Sequence, residues 1–121
     1  MEVRGNNIVI SDGDTTPTSG DFTNFGAKST AATITKTFTV KNTGSAALLT
    51  SGLKVVTTAG VASSTFTILE GLSASIAAGG SDTFTVKFAT TTKGSYTRMI
   101  SFVTNDSNEN PYNFYISGTV A

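Results

Sequence analysis

Acidic side chains are the sharpest candidates in this sequence for a reactive or ion-binding centre. The 121 residues include no His and no Cys. That removes Ser-His-Asp and Cys-His nucleophilic chemistry and deprives zinc of its usual nitrogen and sulfur ligands. Asp12, Asp14, Asp21, Asp106 and Glu109 fall in two polar regions, and a glycosidase needs only two carboxylates. Nothing in their spacing or setting pushes the pKa values of two members apart, as an acid/base pair requires. The expectation is a non-enzymatic chain with no catalytic residues.

Calcium is the sharper use of these acids, because it takes carboxylate, amide and backbone oxygens from polar loops. Asp106, Asn108 and Asn110 begin with the oxygen spacing of an EF-hand loop, but Pro111 replaces the required Gly and Ser117 the bidentate Glu. Another geometry would join Asp106 and Asn108 to Asp12 and Asp14, if the first and last strands bring these loops together. The competing and preferred expectation is that Asp106, Asn108 and Asn110 bond their own backbone to shape the turn before Pro111. No cofactor is therefore expected, with calcium as the one ion the acids could serve.

Sugar recognition on a sheet normally needs an exposed aromatic platform, and the chain has no Trp and three Tyr. Tyr115 alone alternates outward and is the one candidate ligand contact. A single exposed Tyr is more often a cross-strand packing partner for Thr or Lys. Tyr96, just after Gly94, suits a tyrosine-corner role with its hydroxyl bonded to backbone.

The elements that must position these residues read as strands. Ile34, Phe38 and Val40 share one side of 33–41 while Thr33, Thr35, Thr37 and Thr39 share the other. Phe84, Val86 and Phe88 alternate in the same way, as do Tyr96, Ile100 and Phe102, then Tyr112, Phe114 and Ile116. Shorter strands are expected at 3–10 with a break near Asn6, and at 22–25, 53–57 and 64–69. Turn residues at Asn42-Thr43-Gly44, Ala78-Gly79-Gly80, Lys93-Gly94 and Asn110-Pro111 divide the runs. The polar stretch 11–20 reads as a surface loop between two edge strands. The sum is an all-β chain, an immunoglobulin-like antiparallel β-sandwich of about seven to nine strands. Without Cys it has no disulfide, so Phe38, Phe84, Phe88, Phe102 and Phe114 must pin the sheets by burial alone.

Lys and Arg together number 8, as do Asp and Glu, and charged residues are 13% of the chain. This balance offers no field for nucleic acid or anionic lipid. No apolar run is long enough for membrane insertion, and the first residues lack the order of an export signal. Residues 1–121 are expected to form one domain, excised from a larger multidomain protein.

Three pieces of sequence resemble one family. They are Phe38-Thr-Val-Lys-Asn-Thr-Gly44, then Ile76 to Phe88 followed by Gly94-Ser-Tyr96, then Thr104-Asn-Asp-Ser-Asn-Glu-Asn-Pro-Tyr-Asn-Phe-Tyr-Ile-Ser-Gly118. Together they resemble the bacterial choice-of-anchor D domain, an immunoglobulin-like relative of major sperm protein and ASH domains. Phe88-Ala89-Thr90 departs from that family's Phe-x-Pro. The resemblance implies a structural or adhesive module of a secreted or cell-surface protein. Its partners would be neighbouring domains, and a glycan or a protein added to a strand edge is the alternative. It also leaves open an intracellular ASH-like scaffold. It supplies no catalytic residues.

Overall fold

Along Tyr112–Val120 every second residue is buried, from Tyr112 through Phe114, Ile116 and Gly118 to Val120, and those between are half-buried. One face of such a strand lies on a core and the other meets solvent. The same rule organises a computed structural model of the chain, which describes residues 1–57, 65–106 and 111–121.

Its strands are β1 (Glu2–Gly5), β2 (Ile8–Ile10), β3 (Asn24–Lys28), β4 (Ile34–Lys41) and β5 (Leu48–Thr57), then β6 (Phe66–Glu70), β7 (Ser75–Ile76), β8 (Ser81–Phe88), β9 (Gly94–Thr104) and β10 (Tyr112–Val120). They form two five-stranded sheets, ordered β2-β1-β4-β8-β6 and β3-β10-β9-β5-β7. The expected β-sandwich is present, with two refinements. Among the described residues ten strands replace the expected range, because the break at Asn6 makes two strands and the two-residue β7 carries no visible alternation. One pair is parallel: β3 runs beside β10 in the same direction. The chain leaves β2, crosses to the other sheet through 11–23 and travels along the β10 edge without turning back.

Asn6 and Asn7 both have positive φ, 51° and 62°, the geometry of a two-residue type I′ hairpin turn that Asn tolerates well. The β3 segment lies later than expected, at Asn24–Lys28, because Phe22 sits at φ 68° and cannot continue a strand. β5 is longer than 53–57; its register shifts between Ser51 and Lys54, which hides its first half from a period-two reading.

Between the sheets lie Phe38, Phe66, Phe84, Phe88, Phe102 and Phe114, all 0% exposed. Phe38 meets Phe114 across the gap at 5.6 Å between centroids, and Phe84 meets Phe102 at 6.4 Å. Such aromatic pairs add about 0.5–1.5 kcal/mol each beyond their buried area. The expected phenylalanine core is therefore the physical join between the layers.

The two sheets share a long axis with two poles. Glu2 pairs with Lys41 and Lys41 with Ser81 at the entry pole, where the Asn42 amide reaches Ile76 O in the second sheet at 2.9 Å. Val120 pairs with Gly94 at the exit pole, where Lys28 Nζ reaches Thr90 O at 2.7 Å.

Candidate functional site

Asp12 and Asp14 lie where the strap after β2 runs along the open edge of β10. Asp12 Oδ1 accepts the Asn113 N–H at 3.0 Å, and Asp14 Oδ1 accepts the Thr16 N–H at 2.8 Å. Backbone bonds complete the strap: Gly13 N–H donates to Asn113 O at 2.6 Å and Tyr115 N–H to Asp14 O at 2.8 Å. Both carboxylates thus shape a local turn and its attachment to β10.

Asp106 lies at the entry pole, with Oδ2 3.8 Å from the Met1 ammonium and its N–H donating to Thr104 Oγ1 at 3.1 Å. Asn108, the fourth residue considered for calcium, lies outside the described residues. Among the described residues no three Asp or Glu side chains come together in a way that could hold a metal ion.

Tyr115 is half-buried on the outer face of its sheet. Its cross-strand partner is Met99, and Met99 in turn pairs with Val56, which is only 4% exposed. Register thus sets Tyr115 beside an apolar row rather than beside Thr or Lys. Met99 and Val56 were the available signal, at outward positions of β9 and β5.

The exit pole holds Lys28 and Arg98, which period-two reasoning passed over, beside Tyr96. Lys28 is 6% exposed, and its Nζ donates to Thr90 O and, at 3.1 Å, to Ser29 O. The ammonium also stands 5.4 Å from the Phe88 ring centroid, a favourable cation–π approach. Tyr96 donates its hydroxyl to Thr92 O at 2.6 Å, the backbone bond expected of a tyrosine corner. The Arg98 guanidinium lies 5.5 Å from the Tyr96 ring centroid; Nη1 donates to Thr97 O at 2.8 Å and Nη2 to Thr65 Oγ1 at 3.4 Å. Its Nε is buried and, among the described residues, has no hydrogen-bond partner.

One carboxylate is electrostatically distinctive. The Ser73 N–H, 2.6 Å from Asp82 Oδ2, is the main cause that holds the Asp82 carboxyl below its usual pKa, against a smaller opposing effect of burial. Two clefts lie among the described residues, one of ≈ 220 Å³ at the entry pole, between Met1, Leu48 and Asn105, and one of ≈ 320 Å³ on the outer face, over Arg4, Thr39 and Lys41. Neither combines the size and aromatic lining of a small-molecule pocket.

Two facing sheets joined by aromatic packing, with no Cys in the chain, define an immunoglobulin-like β-sandwich of the disulfide-free kind. The chain belongs to the HYDIN/CFA65/VesB-like Ig-like domain family, whose model matches residues 18–119. Among solved structures, it is similar to a protein of unknown function from Porphyromonas gingivalis W83 (TM-score 0.65, 14% identity, covering 80% of this chain and 43% of that one). It is also similar to the secreted serine protease VesC from Vibrio cholerae (TM-score 0.59, 16% identity, 80% and 21%). The ASH/PapD-like domain of human CEP192 matches over 99% of this chain and 84% of that one, with TM-score 0.58 and 16% identity. At these identities the likeness shows the fold alone. The chain spans less than half the length of the first two proteins. No curated protein matches the sequence.

Proposed function

We propose that this domain is a non-catalytic structural or adhesive module of a secreted or cell-surface protein, of the choice-of-anchor D kind that its motifs resemble. The carrying observation is geometric. β1 begins at one pole and β10 ends at the other, so flanking domains in a longer chain attach at opposite ends of a stiff sandwich. Two of the acids that sequence reasoning offered for calcium support the reading, since Asp12 and Asp14 bond backbone. In this reading the partners are neighbouring domains, and neither nucleic acid nor a membrane is engaged.

A protein partner added as a strand is the second reading, favoured by β6. Among the described residues its outer edge carries no paired strand, and Leu69 beside it is 59% exposed. An ASH-like scaffold inside a cell would use the same fold.

The test combines location and binding. Protease added outside intact cells that express the full-length parent protein should cleave it, and a glycan array probed with the 121-residue chain should stay blank. Saturable glycan binding lost in Tyr115→Ala would establish a binding module instead. Full protection of the parent protein from external protease would establish the intracellular scaffold.

A further inference from the structure

Among the described residues the two sheets have four open edges, β2, β6, β3 and β7. An open edge is a template for another strand, and proteins blunt it with charge, bulges or brevity. β6 shifts register between Ile68 and Glu70 and ends on that charge. β3 meets β10 through a register shift and has Gly26 at φ 85°, and β7 is two residues long. β2, Ile8-Val9-Ile10, has no charge, bulge or proline, and its flanks Asn6, Asn7 and Ser11 are uncharged as well.

Its burial is uneven. Ile8, Val9 and Ile10 stand opposite Gly5, Arg4 and Val3, so Ile8 and Ile10 share the inner face of the sheet and Val9 takes the outer one. Ile10 is fully buried, yet Ile8 on the same face is 48% exposed and Val9 is 50% exposed. Ile8 is thus a core-facing isoleucine with an uncovered flank. The main chain has a matching gap. The two-residue turn at Asn6-Asn7 makes Gly5 and Ile8 a hydrogen-bonded pair, and bonded pairs alternate in an antiparallel ladder, so Val3 with Ile10 is the next one and Arg4 with Val9 is skipped. The N–H and C=O of Val9 therefore point outward from the sheet edge, and no other described residue bonds them.

We propose that β2 is a self-recognition edge: two copies of this chain pair their β2 strands antiparallel about a two-fold axis through Val9, joining their β2-β1-β4-β8-β6 sheets into one. Register selects this occupant. With Val9 opposite its own copy, the two residues exchange both hydrogen bonds and use the free N–H and C=O of each edge. Ile8 then lies opposite Ile10 of the second copy, and each half-exposed Ile8 gains the apolar neighbour that it lacks. Asn7 meets Ser11, so no like charges face each other. Arg4, beside Val9 on the outer face, is already paired with Glu2 at 2.8 Å, which leaves no net charge to repel a copy there. A foreign strand would need the same apolar spacing about one outward N–H and C=O; a second copy has it by symmetry. The contact is isologous and closes at two copies.

Area sets the regime. Stable complexes bury about 1,200–2,000 Å², and a three-residue strand on each side covers less. Free copies therefore pair weakly, at high chain concentration. Copies held side by side on one surface or scaffold supply a millimolar effective concentration, which is enough to populate the pairing. The proposal does not rest on the module reading, because it uses β2 wherever the chain resides.

The experiment takes the 121-residue chain from micromolar to millimolar concentration, following its mass by sedimentation equilibrium and its backbone amides by NMR. The expected result is a monomer–dimer equilibrium, with shifts confined to β1 and β2 and hydrogen exchange at the Val9 amide slowed at least several-fold at the high concentration. Val9→Lys and Val9→Glu each set like charges face to face and should stay monomeric. An equimolar mixture of the two should dimerise again, because Lys then opposes Glu. Melting curves check that both variants fold, and if either does not, exchange at the wild-type Val9 amide decides alone. No dimer at millimolar concentration, a dimer whose Val9 amide exchanges as fast as the monomer's, or a mixture of folded variants that stays monomeric would overturn the proposal. Shifts centred on β6 would also overturn it and would favour strand addition at that edge. Protection of the parent protein from external protease would sink the module reading and leave the pairing intact, so the two fail separately.

Discussion

Gly118 on β10 lies directly beneath the ring of Phe88 on β8, so closely that a β-carbon at 118 would stand 2.5 Å from Phe88 Cε2. The two residues belong to opposite sheets. Phe88 cannot easily retreat, because it stacks on Phe66 with centroids 4.5 Å apart and meets Phe25 edge-on at 6.3 Å.

Gly118→Ala should therefore destabilise the chain by about 1–3 kcal/mol, the cost of overpacking a dense core. Urea unfolding read by tyrosine fluorescence measures it. Shortening the opposing ring should relieve the clash, so Gly118→Ala combined with Phe88→Leu should lose less than the sum of the single losses. Strict additivity would show that the ring is not what excludes a side chain at 118.

Asn42 should be a second sensitive position. It is 3% exposed and fully used: Nδ2 donates to Ala46 O at 2.8 Å and Ile76 O at 2.9 Å, and Oδ1 accepts the Gly44 N–H at 3.0 Å. Asn42→Ala strands these groups, and each buried orphan costs about 1–3 kcal/mol. Asn42→Asp keeps the acceptor for Gly44 but turns a carboxylate towards two carbonyl oxygens, so it should be at least as damaging. An Asp variant as stable as the wild type would show that the two donated bonds carry no stability.

The turn at Asn42 was legible in the sequence, but its reach into the other sheet was not. Alternation located the buried faces of β4, β8, β9 and β10 because period two is a local property. What escaped depends on pairing. Lys36 shares the inward face of β4 with Phe38 and finds a place there only because Phe22, in a left-handed conformation, sets its ring 4.6 Å below the ammonium. Lys41 and Lys87 stand on strands paired on both sides, which no local pattern shows. Tyr115 looked solitary until register set Met99 beside it.

Asp82 gives a prediction with a definite sign. The Ser73 N–H favours its ionised form and lowers its folded pKa. A lowered folded pKa means that the stabilisation is present above the unfolded value, about 3.9 for Asp, and is lost as pH falls through the folded value. Asp82→Asn keeps an oxygen for Ser73 but removes the titration. The stability difference between wild type and Asp82→Asn should therefore be constant above about pH 5 and shrink steadily below about pH 4. Because the carboxylate is partly exposed, salt should reduce the difference at neutral pH. The Ser73 amide shift should titrate with the same midpoint as the Asp82 carboxyl carbon, which ties the effect to this bond. A wild-type-minus-variant difference that stays flat into strong acid would mean that the bond does not distinguish the ionised carboxyl from the neutral one.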